Sequence, residues 1–358
     1  MANPWRGSAL DVAIDHPDRL AGLSTTPFLA ADIGGTHARV ALVRAARGER
    51  NSVETLAYRS FACAEFPTLS ALLRTFVDAE AQEPVRHCVL ACAGQLMGDE
   101  VVNDNLAWPI RLSILREMLA LDDVAVLNDF EALGHALDGS LAHGSRHLCG
   151  PRTHGAGPRL VVGPGTGLGA AVQVPGPDGG FVLTTEAGQM DYAPNSVRER
   201  AMLAHLAPDG GYVEFERIVS GPGLLTAYEA LCALEGETPQ HATPQAVTRA
   251  AATGNDVRAA EAAEIFCASL GSLAGNLALA FMATGGVYLA GGFLSSMFAL
   301  LERSAFEERF LHGRSARALL AQVPVWVMEH GRHGVLGAAH WYLRRGVSSE
   351  AMASEWAA

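Results

Sequence analysis

The sequence predicts an α/β protein built from two domains, and three observations lead to this prediction. The chain has 358 residues, enough for one large domain or two ordinary domains of roughly 150 residues. Apolar residues make up 49% and charged residues 18%, a composition typical of a chain that buries a core and not of a disordered or fibrous one. A strand, a glycine turn with a threonine and a second strand occur near the start of each half.

The elements of the first half follow from hydrophobic periodicity. Two β-runs, 28–33 and 38–43, flank Gly34-Gly35-Thr36 and predict a hairpin. After it the pattern predicts, in order, a helix (66–80), a strand (85–93), a helix (112–119), a strand (124–127) and a helix (130–137). Residues 1–27 show no clear periodicity, so we expect a flexible N-terminal extension.

The stretch from Gly139 to Pro158 is rich in Gly, His and Pro and predicts a domain boundary. The second hairpin follows it, as runs 160–162 and 170–174 around a second glycine turn. The remaining pattern predicts a helix (262–283), a strand (286–290), a helix from Leu294, a strand (324–328) and a terminal helix (337–345).

The net charge, the N-terminal sequence and the cysteines indicate which partners and which cell compartment to expect. The formal net charge of −12 disfavours nucleic acid as the principal partner, although a small phosphorylated ligand remains possible. The N-terminus lacks the apolar core of a signal peptide, and polar residues interrupt the apolar run 262–283. The six cysteines are scattered, which predicts buried free thiols. We therefore expect a cytoplasmic protein that does not bind a membrane.

Three glycine turns follow predicted strands, at Gly34-Gly35-Thr36, Gly165-Thr166-Gly167 and Gly291-Gly292. Such turns can serve only to let the backbone bend, or they can expose backbone amides to a phosphate group. No G-x-x-x-x-G-K-[ST] string exists in the chain. The string Gly165 to Ala170 matches the relaxed dinucleotide pattern, but a β-run ending at Pro175 follows it where a helix is required.

Two aspartates end predicted strands. Asp32 precedes the first glycine turn, where it can cap the turn or face a Mg²⁺ ion, often through water. Asp129 precedes the predicted helix 130–137, where it can be an N-cap, a general base in phosphoryl transfer, or both. Asn128 beside it offers a donor and an acceptor to the same ligand.

Glu186 and Glu216 stand beside glycine-containing turns. A carboxylate in such a place is commonly a surface group. It can also accept two hydrogen bonds in one plane, which suits the vicinal hydroxyls of a sugar.

Seven strings taken together resemble the bacterial glucokinase family of the actin-like sugar kinase superfamily. The resemblance runs from about Phe28 to Tyr342 and rests on Ala31-Asp-Ile-Gly-Gly-Thr36, Asn105-Leu-Ala-Trp108, Leu127-Asn-Asp-Phe130, Gly163-Pro-Gly-Thr-Gly-Leu-Gly169, residues 186–195, Glu216-Arg-Ile-Val-Ser-Gly-Pro-Gly223 and Gly285-Gly-Val-Tyr-Leu-Ala-Gly-Gly292. Each string is modest alone, and their shared order is specific.

The resemblance implies a two-lobed, actin-like (duplicated ribonuclease H-like) α/β fold with a sugar cleft between the lobes. The small domain would be 28–139, completed by a C-terminal helix 334–358, and the large domain 140–333. The implied reaction is ATP-dependent phosphorylation of glucose to glucose 6-phosphate, the first step of glycolysis, by a cytoplasmic homodimer.

The resemblance also implies roles for single residues. Asp129 matches the catalytic base. Sugar-binding positions are matched by Asn105, Asn128, Asp129, Glu186, Gln189 and Glu216. ATP-binding positions are matched by Asp32, Gly34, Gly35, Thr36, Gly165, Thr166, Gly291 and Gly292, and Asp32 would hold Mg²⁺, directly or through water.

Two positions depart from the family pattern. His37 stands where the first phosphate motif has Asn, and Glu186-Ala-Gly-Gln189 stands where the sugar motif reads Glu-Gly-Gly-His. Gln189 can still donate a hydrogen bond to a sugar hydroxyl. Two alternatives therefore stay open: a kinase for another hexose such as fructose, mannose or an N-acetyl amino sugar, and a sugar-binding sensor with little kinase activity.

Overall fold

The computed structural model describes residues 26–46, 52–103, 106–137, 144–176, 180–329 and 331–355. The chain divides into two compact units. The first unit runs to Asn128 and includes the C-terminal chain from Ala338, and the second unit is Asp129–Gly337. Of the predicted N-terminal extension, residues 1–25 lie outside the described part of the chain.

The first unit is a mixed sheet with helices. Its elements in chain order are β1 (Phe28–Ile33), β2 (His37–Ala45), β3 (Val53–Ala62), α1 (Leu69–Glu80), β4 (His87–Cys92), β5 (Gln95–Met97), β6 (Glu100–Val102), β7 (Ile110–Arg111), α2 (Leu112–Leu119) and β8 (Asp123–Asn128). The main sheet has the order β3-β2-β1-β4-β8, and β5, β6 and β7 form a small second sheet. The predicted hairpin is β1–β2, which pairs in antiparallel register.

Local sequence explains where these elements begin. The side-chain oxygen of Thr68 accepts a hydrogen bond from the amide of Ala71, so α1 begins at Leu69 and not at the predicted residue 66. Its apolar face, Leu69, Leu72, Leu73 and Phe76, is buried as its spacing predicts. Strand β4 is almost wholly apolar because it lies between the parallel strands β1 and β8.

The second unit is built on a six-stranded sheet in the order β12-β11-β10-β13-β14-β9. Its elements in chain order are α3 (Asp129–Ala136), β9 (Ser145–Cys149), β10 (Arg159–Pro164), β11 (Leu168–Val174), β12 (Phe181–Thr185), α4 (Val197–Leu206), α5 (Gly221–Glu235), α6 (Pro244–Thr253), α7 (Val257–Ala280), β13 (Gly286–Leu289), α8 (Gly292–Arg303), α9 (Phe306–Phe310), α10 (Arg317–Leu320), β14 (Val325–Met328) and α11 (His333–Glu355). Residues of α11 from Ala338 onward belong to the first unit.

Helix α7 lies at the centre of the hydrophobic core of the second unit. Among the described residues it is the one helix long and apolar enough to cross a membrane, but 83% of its most apolar window is buried. It packs against α5, α6 and α9. We therefore assign it to the core, as the polar residues in its sequence predict. All six cysteines are buried free thiols, which confirms the prediction made for them.

The division between the units falls at a different residue from the predicted 139/140 boundary. The ring of Phe130 lies against Gly163 and Gly169, and Gly134 lies against the side chain of Val182. Helix α3 is thereby packed on the sheet of the second unit. The chain consequently changes units between Asn128 and Asp129.

Candidate active site

In the first unit, three parallel strands end at one edge of the sheet. Ile33 of β1 is paired with Cys92 of β4, and Cys92 is paired with Asn128 of β8. The turn Gly34-Gly35-Thr36 follows β1 directly, so it lies at the same edge as Asn128. Two strand spacings separate them, or about 10 Å. The amide of Gly34 donates to the carbonyl of His37 at 3.0 Å and closes the turn.

Asp32 is paired with a cation within its own hairpin. The guanidinium Nη1 of Arg39 lies 3.1 Å from Oδ2 of Asp32, because β1 and β2 place the two residues opposite each other. Burial raises the pKa of Asp32 above its usual value, and the Coulomb attraction and hydrogen bond of Arg39 oppose that rise. The glycine motif does not indicate that Arg39 pairs with Asp32. The register of the predicted hairpin could have indicated it, because that register places the two residues opposite each other.

The second unit has a matching turn at Gly165-Thr166-Gly167. The amide of Gly165 donates to the carbonyl of Gly167 at 2.7 Å, and the carbonyl of Gly165 accepts from the amide of Gly221 at 2.8 Å. Oε2 of Glu216 accepts from the amide of Leu168 at 2.7 Å. These bonds hold the turn against the segment that carries Glu216.

Asp129 is the first residue of α3, and its Oδ1 accepts from the amide of Phe130 at 3.0 Å. The Phe130 ring lies so close to Gly169 that a Cβ there would be 2.1 Å from its Cδ2. Only glycine at position 169 permits this approach. Asp129 is therefore held beside the first residues of β11, next to the glycine turn.

Glu186 directly precedes a single 3-10 turn, Ala187–Gln189, and Gln189 is the last residue of that turn; both residues are exposed. Gly188 lies against the carbonyl of Leu168, where a Cβ would be 2.1 Å from the oxygen. The 3-10 turn is thus packed on the strand that also contacts Glu216 and Phe130. The carbonyl of Gln189 accepts a hydrogen bond from the hydroxyl of Tyr212.

Gly291 and Gly292 follow β13 and begin α8. Strands β10 and β13 are parallel, and the amide of Ala290 donates to the carbonyl of Val162 at 2.9 Å. A Cβ on Gly291 would lie 2.9 Å from the carbonyl oxygen of Pro164. Gly291 therefore adjoins the residue that precedes Gly165.

The structure thus groups the predicted residues within each unit. Contacts in the second unit bring together the elements that carry Asp129, Gly165, Thr166, Glu186, Gln189, Glu216, Gly291 and Gly292. One sheet edge in the first unit carries Asp32, Gly34, Gly35, Thr36 and Asn128. Asn105 lies outside the described residues. The arrangement combines a candidate base, carboxylates able to accept hydrogen bonds from hydroxyls, and glycine turns without side chains.

A divalent cation is compatible with Asp32. Its carboxylate is 22% exposed, and Mg²⁺ usually takes one or two protein carboxylates together with substrate phosphates and water. In the described part of the chain no three His, Cys, Asp or Glu side chains are grouped to hold a metal by themselves.

Comparison with known proteins gives a consistent match. A family model described as glucokinase covers residues 29–345. The glucokinase-like protein of Xylella fastidiosa strain 9a5c is 44% identical over 319 residues, 89% of this chain and 95% of the relative. The glucokinase of Marinobacter nauticus is 36% identical over 315 residues, 87% of this chain and 95% of that protein.

The fold is matched as well. The crystal structure of a glucokinase from an Antarctic psychrotroph aligns with a TM-score of 0.76 at 31% identity, covering 88% of this chain and 98% of that one. The match confirms the predicted actin-like sugar kinase fold. This chain therefore belongs to the glucokinase family, a family of ATP-dependent sugar kinases.

Proposed function

We propose that the protein transfers the γ-phosphoryl group of ATP to the 6-hydroxyl of D-glucose. The observation that carries the proposal is the packing around β11. The amide of Leu168 bonds Glu216, Gly188 of the Glu186 turn lies on Leu168, and Phe130 beside Asp129 lies on Gly169. A candidate base, two carboxylates and a glycine turn are thus carried by segments packed around one short strand, and these are the groups that a reacting hydroxyl and a phosphate need together.

Asp129 is the proposed general base. Its carboxylate would accept the proton of the sugar hydroxyl as the oxygen attacks the phosphorus in line with the leaving group. The hydrogen bond from Phe130 to Oδ1 orients the carboxylate. A base that is already oriented toward the hydroxyl lowers the entropic cost of reaching the reactive geometry, and such positioning supplies much of the catalysis in phosphoryl transfer.

Asn128, Glu186, Gln189 and Glu216 are proposed to bind the other sugar hydroxyls. Asn105 joins them on the family pattern alone. Glu216 has one oxygen bonded to the amide of Leu168, which fixes its direction. Gln189 offers an amide where the family pattern has an imidazole, and both groups can donate to a hydroxyl.

The phosphates are proposed to lie against the two glycine turns, where Gly34 and Gly165 carry no side chain that would block them. The amide of Gly35 and the hydroxyls of Thr36 and Thr166 are the proposed donors. Gly291 and Gly292 would contact the adenosine end. Mg²⁺, held through Asp32, would neutralise charge on the phosphates. Arg39 limits the negative charge that Asp32 presents to them.

A coupled assay with Mg-ATP over a panel of sugars tests this proposal. We expect product with glucose and lower kcat/KM for fructose, mannose and N-acetyl amino sugars. Preference for another sugar on the panel would favour a kinase for that hexose, as the Gln189 departure allows. Glucose binding by calorimetry without any product would favour the sensor.

Gly165→Ala is expected to raise the KM for ATP about tenfold or more, with little change in the KM for glucose. A Cβ on Gly165 would meet nothing within 4 Å, and its φ is not in the left-handed region, so the fold should tolerate alanine. The added methyl would instead occupy space that a phosphate needs. Steady-state kinetics with varied ATP measure the effect.

Gly211→Ala is the matched control, because a Cβ there also meets nothing within 4 Å and its φ is also outside that region. Its KM for ATP should match that of the parent enzyme. If the two variants have equal KM values for ATP, the phosphate role of the Gly165 turn is wrong.

We also propose that the enzyme is a cytoplasmic homodimer that binds neither nucleic acid nor membranes. The acidic net charge of −12 supports the proposal that nucleic acid is not a partner, because it would repel the phosphate backbone. Light scattering after size exclusion would test the dimer, and a monomer at micromolar concentration would contradict it.

A further inference from the structure

A buried ion pair lies in the core of the second unit and includes none of the residues that the proposed reaction uses. Nη1 of Arg309 is 2.7 Å from Oε1 of Glu199, and the two side chains are 10% and 3% exposed. Arg309 also donates from Nη2 to Oε2 of Glu199 at 3.3 Å and from Nε to the hydroxyl of Ser272 at 2.8 Å. All three nitrogens of the guanidinium therefore donate a hydrogen bond.

The same carboxylate holds the segment that follows Gln189. Oε2 of Glu199 accepts from the hydroxyl of Tyr192 at 3.0 Å and from the amide of Asn195 at 2.7 Å. The Tyr192 hydroxyl also lies 2.9 Å from the hydroxyl of Ser269 in α7. Burial opposes the charged form of Glu199, but the hydrogen bonds from Arg309, Asn195 and Tyr192 outweigh it and lower its pKa.

Tyr192 in turn connects the two turns that carry the proposed sugar contacts. Its amide donates to the carbonyl of Val213 at 2.8 Å, and the amide of Phe215 donates to the carbonyl of Met190 at 2.9 Å. The rings of Tyr192 and Phe215 meet edge to face with centroids 5.4 Å apart. Gln189 precedes one side of this pairing and Glu216 follows the other.

We propose that Tyr192, Glu199 and Arg309 are positioning residues that set the affinity for the sugar. They fix the Tyr192 hydroxyl in the core, and through Tyr192 they fix the spacing between the Gln189 turn and the Glu216 turn. The inference rests on the proposed function, because it requires that those turns bind the sugar. A carboxylate displaced by even 1 Å loses its hydrogen bonds to a hydroxyl.

Tyr192→Phe is the most direct test, because the ring and its contact with Phe215 remain while the hydroxyl is lost. We expect the KM for glucose to rise about fivefold, with kcat and the KM for ATP within about twofold. Ser269→Ala removes only one partner of that hydroxyl, so it should change the KM for glucose in the same direction by a smaller factor.

Tyr228→Phe is the matched control. Tyr228 is fully buried in the same unit, and its hydroxyl also donates to a carboxylate, Oδ2 of Asp256, at 2.9 Å. The Tyr228 hydroxyl also accepts a hydrogen bond from the amide of Gln240 at 2.9 Å. It is thus bonded to the loop at Gln240 and not to the turns that carry Gln189 or Glu216. Tyr228→Phe should lower the melting temperature much as Tyr192→Phe does, with an unchanged KM for glucose.

Glu216→Gln separates failure of the inference from failure of the proposed function. If it raises the KM for glucose about tenfold or more while Tyr192→Phe matches Tyr228→Phe, the positioning role is overturned and the sugar site stands. If Glu216→Gln leaves the KM for glucose unchanged, the assignment of that turn to the sugar is wrong and the inference falls with it.

Discussion

Asp129→Asn is expected to lower kcat by about 10²–10⁴-fold, down to the limit of detection, because the carboxamide cannot accept the hydroxyl proton. Glucose affinity should stay within about tenfold, since Asn keeps an oxygen for the hydrogen bonds. That oxygen can also accept from the Phe130 amide, as Oδ1 of Asp129 does at 3.0 Å. Loss of a negative charge at the start of α3 costs only about 0.3–1 kcal/mol. Turnover by stopped assay and glucose binding by calorimetry measure the two effects separately.

Asp122→Asn is the matched control for this substitution. Asp122 is exposed and directly precedes β8, whereas Asp129 directly follows it. The six residues of β8 separate them, a distance of about 20 Å at roughly 3.3 Å per residue. Its kcat should equal that of the parent enzyme. Substantial turnover by Asp129→Asn would show that another group accepts the proton.

Arg309→Met is expected to destabilise the protein by about 3–5 kcal/mol, the largest stability effect that we predict, because it leaves the buried carboxylate of Glu199 without its cation. The Glu199 side chain is 3% exposed, so water cannot solvate the unpaired carboxylate. Urea denaturation followed by circular dichroism measures the change. Arg198→Met is the control: Arg198 makes two similar bonds to Glu261, at 2.7 and 3.1 Å, but is 29% exposed, so we expect about 1 kcal/mol or less.

The pH dependence of this effect has a definite sign. In the parent protein the pKa of Glu199 is lowered in the fold, so its ion pair stabilises the protein above the unfolded pKa, and this stabilisation is lost as the pH falls through the folded pKa. Without Arg309, fewer interactions offset the effect of burial on Glu199, so the pKa of Glu199 rises. The deficit of Arg309→Met should therefore be largest near neutral pH and shrink toward about pH 4. A deficit independent of pH would show that lost packing, and not charge, is responsible.

Several elements could be predicted from the sequence because one local pattern specifies each. Helix α2 spans 112–119 as its apolar spacing predicts. The hairpin β1–β2 forms around Gly34-Gly35-Thr36 because its flanking runs are largely apolar and buried. Strand β4 follows from an apolar run too short for a helix.

Other elements could not be predicted from hydrophobic periodicity, and the structure shows why. Strand β3 is an edge strand whose residues are half-buried or exposed, so no clean alternation marks it. Helix α5 begins with Gly221-Pro-Gly223, which resembles a turn, although Ser220 caps it by accepting from the Gly223 amide. Helix α6 likewise begins at a proline, Pro244, after the cap Thr243.

The residue types at the site are local information, and their order along the chain is specific enough to identify the family. Asp129, Glu216 and Gly165 could be proposed as site residues because they match positions in the motifs of the family. Their neighbours could not be named. Arg39 reaches Asp32 across a hairpin, and Arg309 reaches Glu199 over 110 positions of chain. Hydrogen bonds and buried charges require partners close in space, and only the packed fold brings such distant residues within hydrogen-bonding distance of each other.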